Sequence, residues 1–152
     1  LINREFIMTY NFNPHRHIKI WLSKNPASFL NLENRARLIK MRATNPTDEI
    51  NFIYDSSLLS AQALRDLDIF CKKYQIVAKD VQKDVIPNCT TAEEKNLIKS
   101  YQDEITNLEA GGNLAVACDL IRWLHPVYEL GTYTDFDVPV DTRFNHHLIM
   151  PK

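Results

Sequence analysis

Glycine is scarce in this sequence: only 3 of the 152 residues are glycine. A glycine-rich loop that wraps phosphates with backbone N–H groups is therefore excluded. A nucleotide site in this chain would need another device, such as a metal ion. The formal net charge of −1 also argues against a nucleic-acid partner, because nucleic-acid-binding surfaces normally carry a basic face.

Cysteines and long apolar runs are few as well. Cys71, Cys89 and Cys118 form no C-x-x-C pair, so neither a disulfide framework nor a zinc site is expected. This pattern predicts free thiols in a reducing compartment. No apolar run approaches the roughly 20 residues needed to cross a bilayer, and no segment resembles a signal peptide. We therefore expect a soluble protein, and a monomer.

The sequence does contain alternating strand and helix patterns. Strands are predicted at 17–22, 49–54, 75–78 and 133–138, and helices at 28–44, 60–74, 91–110 and from Asn113 onward. Residues 79–89 are predicted to form a loop. Thr91 with Glu94 fits a capping box, Asn113 can cap the helix that follows it, and Pro126 should kink or stop that helix. This order predicts an α/β sheet with helices on both faces, in one domain over residues 17–152 after an N-terminal extension at 1–16.

In such sheets, ligands bind beyond the carboxyl ends of the strands. Trp21, Asp55 and Asp137 fall at predicted strand ends. The pattern from Asn113 to Asp137 predicts a helix that ends near Gly131, followed by a strand that carries two aspartates at its end.

Two pairs of charged residues stand in this stretch. Asp119 and Arg122 are three residues apart, so they share one helix face. Asp135 and Asp137 are two residues apart, so on a strand their side chains would point the same way. Two such carboxylates favour a hard divalent cation with oxygen ligands.

The run N-L-A-V-A-C-D-L-I-R at 113–122, followed by G-T-Y-T-D-F-D at 131–137, resembles the signature of glycosyltransferases with a D-x-D sugar-nucleotide site. It is most similar to the glucosyltransferase domain of the large clostridial toxins and related bacterial effectors. That family reads N-L-A-A-A-S-D-I-L-R and then G-G-x-Y-L-D-x-D at the same intervals. The strand and turn at 49–59 also resemble that family. Thr132, Thr134 and Cys118 depart from its pattern.

The resemblance implies a GT-A-like nucleotide-sugar-binding sheet and assigns roles to nine residues. The implied catalytic residues are Asp119, Arg122, Asp135 and Asp137, and the implied donor-binding residues are Ile20, Trp21, Leu114, Cys118 and Tyr133. Asp137 would contact Mn²⁺ or Mg²⁺ directly, whereas Asp135 would bind the ribose or sugar and support the metal through water. Trp21 would lie against the uracil ring.

Each assignment has a simpler alternative. The two acids could be solvated charges at a strand exit, and Asp119 and Arg122 a weak surface ion pair. Trp21 and Tyr133 could be core aromatics. Cys118, although an implied donor-binding residue, is interpreted as a buried thiol without a nucleophilic role. Asp55 is interpreted as a strand-end cap, and the histidines (His15, His17, His146 and His147) as non-ligands.

The resemblance implies transfer of a hexose, glucose first, from a UDP-sugar to a protein hydroxyl with retention of configuration. A secreted bacterial effector that modifies a host small GTPase in the host cytosol would fit this activity. The chain is shorter than such catalytic domains, so we expect only the nucleotide-sugar-binding portion. Two alternatives stay open: an endomembrane or cell-surface D-x-D glycosyltransferase with another sugar nucleotide, or a non-enzymatic protein-binding module.

Overall fold

The structure, a computed structural model, describes residues 14–142 and centres on a four-stranded parallel sheet. The strands are β1 (Arg16–Ile20), β2 (Glu49–Tyr54), β3 (Val77–Asp80) and β4 (Thr132–Tyr133), in the spatial order β3-β2-β1-β4. β1 therefore lies between β2 and β4, and all three strand pairings in this sheet are parallel. The predicted α/β architecture is confirmed.

Within residues 14–142, five α-helices accompany the sheet: α1 (Leu32–Thr44), α2 (Ala61–Lys73), α3 (Ala92–Thr106), α4 (Leu114–Ile121) and the short α5 (His125–Tyr128). Local sequence signals explain where several of them begin. Asn31 and Ser60 cap α1 and α2, and Thr91 forms the predicted capping box with Glu94 at α3. Asn113 caps α4 as predicted.

The two faces of the sheet carry separate hydrophobic cores. Side chains alternate along a strand, so Ile18, Ile20 and Ile53 point to one face, where α3, α4 and α5 cover them. We call this the first face. Ile50 and Phe52 point to the opposite, second face, where α1 and α2 cover them. Helices on both faces were predicted from the order of the elements.

Several boundaries differ from the prediction. Residues 79–89 were predicted as a loop, but they form a π-helical turn at Val81–Val85 and a 3₁₀ turn at Ile86–Asn88. Val81 and Val85 are buried in the first-face core, so tertiary burial organises this segment. α1 begins at Leu32 and not at residue 28, and α3 ends at Thr106 with a separate 3₁₀ turn at Leu108–Ala110.

Proline ends the motif helix as predicted. α4 stops at Ile121, and Pro126 lies in the first turn of α5, where its missing N–H costs no hydrogen bond. The predicted extension at 1–16 overlaps the described residues only at its end, and His146-His147 lie outside them. Within residues 14–142, no helix has the length and apolar character to cross a membrane.

After β4 the chain returns along the second face towards the opposite end of the sheet. Phe136 and Val140 pack against the second-face core. The side-chain amide of Asn45 donates to the Val140 carbonyl at 2.8 Å, and its oxygen accepts from the Thr142 N–H at 2.7 Å. Asn45 follows α1 directly. Its hydrogen bonds therefore hold residues 140–142 against the C-terminal end of α1.

Glu94 links α3 to α5, and it should make stability depend on pH. The N–H of His125 donates to its carboxylate at 2.9 Å, and the Thr91 and Thr90 N–H groups donate as well. These bonds, His125 foremost, lower the pKa of Glu94 to about 2 despite its burial. Because the pKa is lower in the folded state, Glu94 stabilises the protein above its unfolded pKa of about 4.3. That stability is lost as the pH falls through the folded value near 2.

We therefore expect Glu94→Gln to lower the free energy of unfolding by about 2 kcal/mol at pH 7, and the effect should shrink as the pH falls from 4.5 to 2. Urea unfolding across that range measures it. The exposed neighbour Glu93 provides the control: Glu93→Gln should leave the pH profile unchanged. An equal loss in the Glu94 variant at pH 2 and pH 7 would contradict this account.

Candidate active site

The helix pair and the strand-end acids from the motif lie together. Arg122 follows α4, and its Nη2 lies 3.6 Å from Asp119 Oδ1. Its guanidinium carbon lies 5.4 Å from the centre of the Tyr133 ring. The Tyr133 hydroxyl in turn donates to Asp135 Oδ1 at 2.9 Å. One chain of contacts therefore joins Asp119, Arg122, Tyr133 and Asp135.

The expectation that Asp135 and Asp137 project from a strand was wrong. β4 ends at Tyr133, since only Thr132 and Tyr133 pair with β1. Residues 135–138 form a turn, which we call the acid turn, closed by the Val138 N–H and the Asp135 carbonyl at 3.0 Å. The chain leaves the sheet because Phe136 turns onto the second face, where its ring meets Phe52 edge-on at 6.1 Å.

Both carboxylates of the acid turn are exposed. Asp135 accepts the Tyr133 hydroxyl, and Asp137 makes no hydrogen bond or ion pair with any side chain of residues 14–142. Lys19 lies beneath them, 2% exposed, and its Nζ donates to the Asp135 carbonyl at 2.6 Å and the Val138 carbonyl at 3.2 Å. The carboxylates of Asp135 and Asp137 are therefore accessible to a ligand, while Lys19 holds the backbone of the turn through its carbonyls.

Arg122 has hydrogen-bonding capacity left over. Its Nε is buried and lacks a hydrogen-bond partner among the described residues, as does the Thr134 hydroxyl. The ion pair with Asp119 is partly exposed, with 38% and 66% of the two side chains accessible, so on its own it contributes less than about 1 kcal/mol. A ligand with phosphate or sugar oxygens could satisfy Arg122 at little cost.

Burial shapes the protonation of the neighbouring groups. It raises the pKa of the Cys118 thiol to about 12, and the negative charge of Asp119 adds to this effect. Cys118 is therefore a neutral thiol, in line with its interpretation as a non-nucleophile. Burial also raises the pKa of Tyr133, and its hydrogen bond to Asp135 acts in the same direction. Tyr133 consequently keeps its proton and remains a donor to Asp135.

Trp21 lies on the same side of the sheet as the acid turn. Its ring stacks on Phe52 at 6.1 Å and meets Phe29 edge-on at 5.6 Å. Phe136, between the two acids, contacts the same Phe52 ring. Trp21 directly follows β1, is partly exposed and lines a surface cleft with Ser23 and Asn25. Phe29 and Phe52 therefore fix the orientation of the indole ring, which stays partly accessible to a ligand.

Other candidate residues occupy structural positions. The side chains of Ile20 and Leu114 pack in the first-face core. Asp55 is the predicted cap: it is 1% exposed and accepts from Tyr101 at 2.6 Å and from Ser57. His15 and His17 both bond to the Asp48 carboxylate, which precedes β2. Cys71 and Cys89 are buried free thiols, and Cys118 is a half-buried one, as predicted.

Only two carboxylates of the acid turn are available for a metal, and no group of three His, Cys, Asp or Glu side chains suited to a cation occurs in residues 14–142. This donor set fits Mg²⁺ or Mn²⁺, since such ions are commonly bound through one or two carboxylates plus substrate phosphates and water. Asp137, unpaired within the described range, is the better placed of the two acids. Asp135 is already engaged by Tyr133.

The sequence-based prediction did not include Lys19 in the site. Its position inside the apolar run HIKIWL could have indicated a role, because a lysine in a buried strand almost always has a hydrogen-bonding or charged partner. Phe136 was missed too. Its position between two acids suggested a strand residue, whereas it anchors a turn.

Comparison with known proteins shows the family and the fold of the chain. The model of glycosyltransferase family 88 matches residues 5–150, and the chain belongs to that family. Among solved structures, a chain described as PaToxG Glycosyltransferase is similar, with a TM-score of 0.54 and 20% identity over 89% of this chain and 49% of that one. The chain thus spans about half the length of that structure. At this identity the likeness shows the fold, a GT-A-like sheet flanked by helices. A search of curated proteins found no match.

Proposed function

We propose that this chain is the donor-binding part of a glycosyltransferase that moves a hexose, glucose first, from a UDP-sugar to a protein hydroxyl with Mn²⁺ or Mg²⁺. The observation that carries this proposal is the continuous set of contacts from Asp119 through Arg122 and Tyr133 to Asp135. Membership of glycosyltransferase family 88 supports the same class of reaction.

Charge and hydrogen bonding suggest a role for each residue. Asp137 would hold the cation, and Asp135 would bind the ribose or sugar and support the cation through water. A cation held there would supply charge neutralisation for the diphosphate and so make it a better leaving group. Arg122 donates towards phosphate and sugar oxygens, and Asp119 accepts from sugar hydroxyls. Tyr133 orients the Asp135 carboxylate through its hydroxyl group.

Trp21 supplies the base-binding surface in this proposal. Its ring is fixed by Phe29 and Phe52, so little side-chain freedom is lost when a uracil stacks on it. Such a stacking contact contributes about 1–3 kcal/mol. The acceptor is proposed from the resemblance to bacterial effector glucosyltransferases alone: a host small GTPase.

Calorimetric titration of the intact protein with UDP-glucose, UDP-GlcNAc and GDP-mannose, with and without Mn²⁺, tests the proposal. We expect UDP-glucose to bind best and Mn²⁺ to tighten that binding about tenfold or more, because a cation held by Asp137 would offset the repulsion between the diphosphate and the acid turn. Mn²⁺ should not rescue GDP-mannose to the same affinity. The same titrations with EDTA provide the metal-free reference. Failure of all three donors to bind in Mn²⁺ would reject the enzyme and favour a protein-binding module.

A further inference from the structure

Lys19 is a buried charge in the middle of the central strand. In β1 it stands opposite Phe52 of β2, on the second face of the sheet, and 2% of its surface is exposed. Burying an ammonium group is costly unless hydrogen bonds and opposite charges compensate. An aliphatic residue would fill this strand position more cheaply, so the partners of Lys19 indicate what it does.

The hydrogen-bond partners of Lys19 are the two ends of the acid turn. Its Nζ donates to the carbonyls of Asp135 and Val138, the residues whose own backbone bond closes the turn. It also lies 6.0 Å from the centre of the Phe136 ring. Since β4 has already ended, no strand pairing holds this backbone, and Lys19 replaces the missing ladder.

The charges around Lys19 also connect it to the acid turn. Burial lowers the pKa of Lys19 to about 8, whereas Asp135 and Asp137 favour its protonated form and Arg37 opposes it. The ammonium group is therefore a positive charge placed under two carboxylates that repel one another.

We propose that Lys19 is a positioning residue: it fixes the backbone of the acid turn so that Asp135 and Asp137 stand ready for the diphosphate and its cation. This inference rests on the proposed function, because it assigns Lys19 a role in the same site. It predicts that the turn loses order, and the donor loses affinity, when the ammonium group is removed.

Lys19→Met keeps a long, unbranched side chain and removes the ammonium group with both of its hydrogen bonds. In hydrogen exchange of the metal-free protein, we expect the 134–140 peptide of this variant to exchange about tenfold faster, because the Val138 amide is bonded within the acid turn and the Thr134 amide to the Ile18 carbonyl just before it. Peptides from α3 should keep their protection. Lys40→Met is the matched control: Lys40, on α1, lines a cleft with Lys19 and Asp137 but is exposed, and its removal should change nothing.

Kinetics of UDP-glucose hydrolysis separate positioning from general stability. Loss of folded protein alone would scale kcat and leave KM unchanged, whereas a misplaced acid turn should raise KM for UDP-glucose about tenfold and also lower kcat. Lys19→Arg keeps the charge and offers N–H donors for both carbonyls, so it should restore most of the loss. Should Lys19→Met not fold, Lys19→Leu takes its place with the same expectations, since leucine also lacks a donor.

A folded Lys19→Met or Lys19→Leu variant with wild-type exchange at 134–140 and unchanged KM overturns the inference. Failure of the proposed function is distinguishable from this result. If the wild-type protein hydrolyses no UDP-sugar but the exchange of the turn still accelerates in the variant, then Lys19 organises the turn and the assigned reaction is wrong.

Discussion

Replacing Asp137 with alanine should reduce UDP-glucose hydrolysis and transfer about 100-fold or more while the melting temperature stays unchanged. The loss follows from the metal role proposed for Asp137, since removing a charge that holds a catalytic cation costs several kcal/mol in the transition state. Stability should not change, because Asp137 is exposed and has no hydrogen bond or ion pair within the described range. Steady-state kinetics and thermal melting of the intact protein measure both effects.

Two further variants sharpen this test. Asp135→Ala should also reduce activity strongly, although it additionally frees the Tyr133 hydroxyl. Asp103→Ala removes an exposed carboxylate on α3 that belongs to no proposed site, and it should leave the kinetics unchanged. Wild-type activity in the Asp137 variant would reject the metal-assisted mechanism.

Replacing Gly131 with alanine should destabilise the protein by about 3–4 kcal/mol and remove donor binding with it. Gly131 has φ +145, and a Cβ there would lie 2.3 Å from the Arg16 carbonyl oxygen. Neither group can yield easily, since Arg16 begins β1 and Gly131 leads into β4. The clash would push β4 away from β1 and carry Tyr133 and Asp135 with it. Urea unfolding measures the stability, and titration with UDP-glucose measures the loss of binding.

Gly111 offers a matched control for the backbone conformation. It also has a positive φ, +108, but a Cβ there meets nothing within 4 Å. Gly111→Ala should therefore cost only the conformational strain, about 1–2 kcal/mol, and leave donor binding intact. Equal losses in the two variants would show that the contact with Arg16 is unimportant.

Much of the fold could be predicted from the sequence because its signals are local. β2 matches the predicted strand residue for residue, and Thr91, Glu94 and Asn113 cap helices as their positions suggested. The segment at 79–89 was harder, because the burial of Val81 and Val85 against distant helices decides its form. A local sequence pattern cannot predict such a contact between distant parts of the chain.

In the candidate site, too, the features set by local sequence were predicted and those set by tertiary packing were not. The i, i+3 spacing of Asp119 and Arg122 predicts their contact correctly, since a single helix sets it. The alternation rule failed for Asp135 and Asp137, because it holds only while a strand continues, and β4 is two residues long. β1 continues to Ile20 beside it, so β4 is short because Phe136 turns away and packs on Phe52. That packing is not visible in the motif itself.

The pairing of β1 with β4 has a consequence for folding. It joins residues 17 and 18 to residues 132 and 133, nearly the whole length of the described chain, and Asn45 secures Thr142 across a similar span. Contacts of such high sequence separation carry the largest loop-closure entropy and form late. An isolated peptide from this region would lack the placement of the acid turn beside Arg122, which is thus a property of the completed tertiary structure.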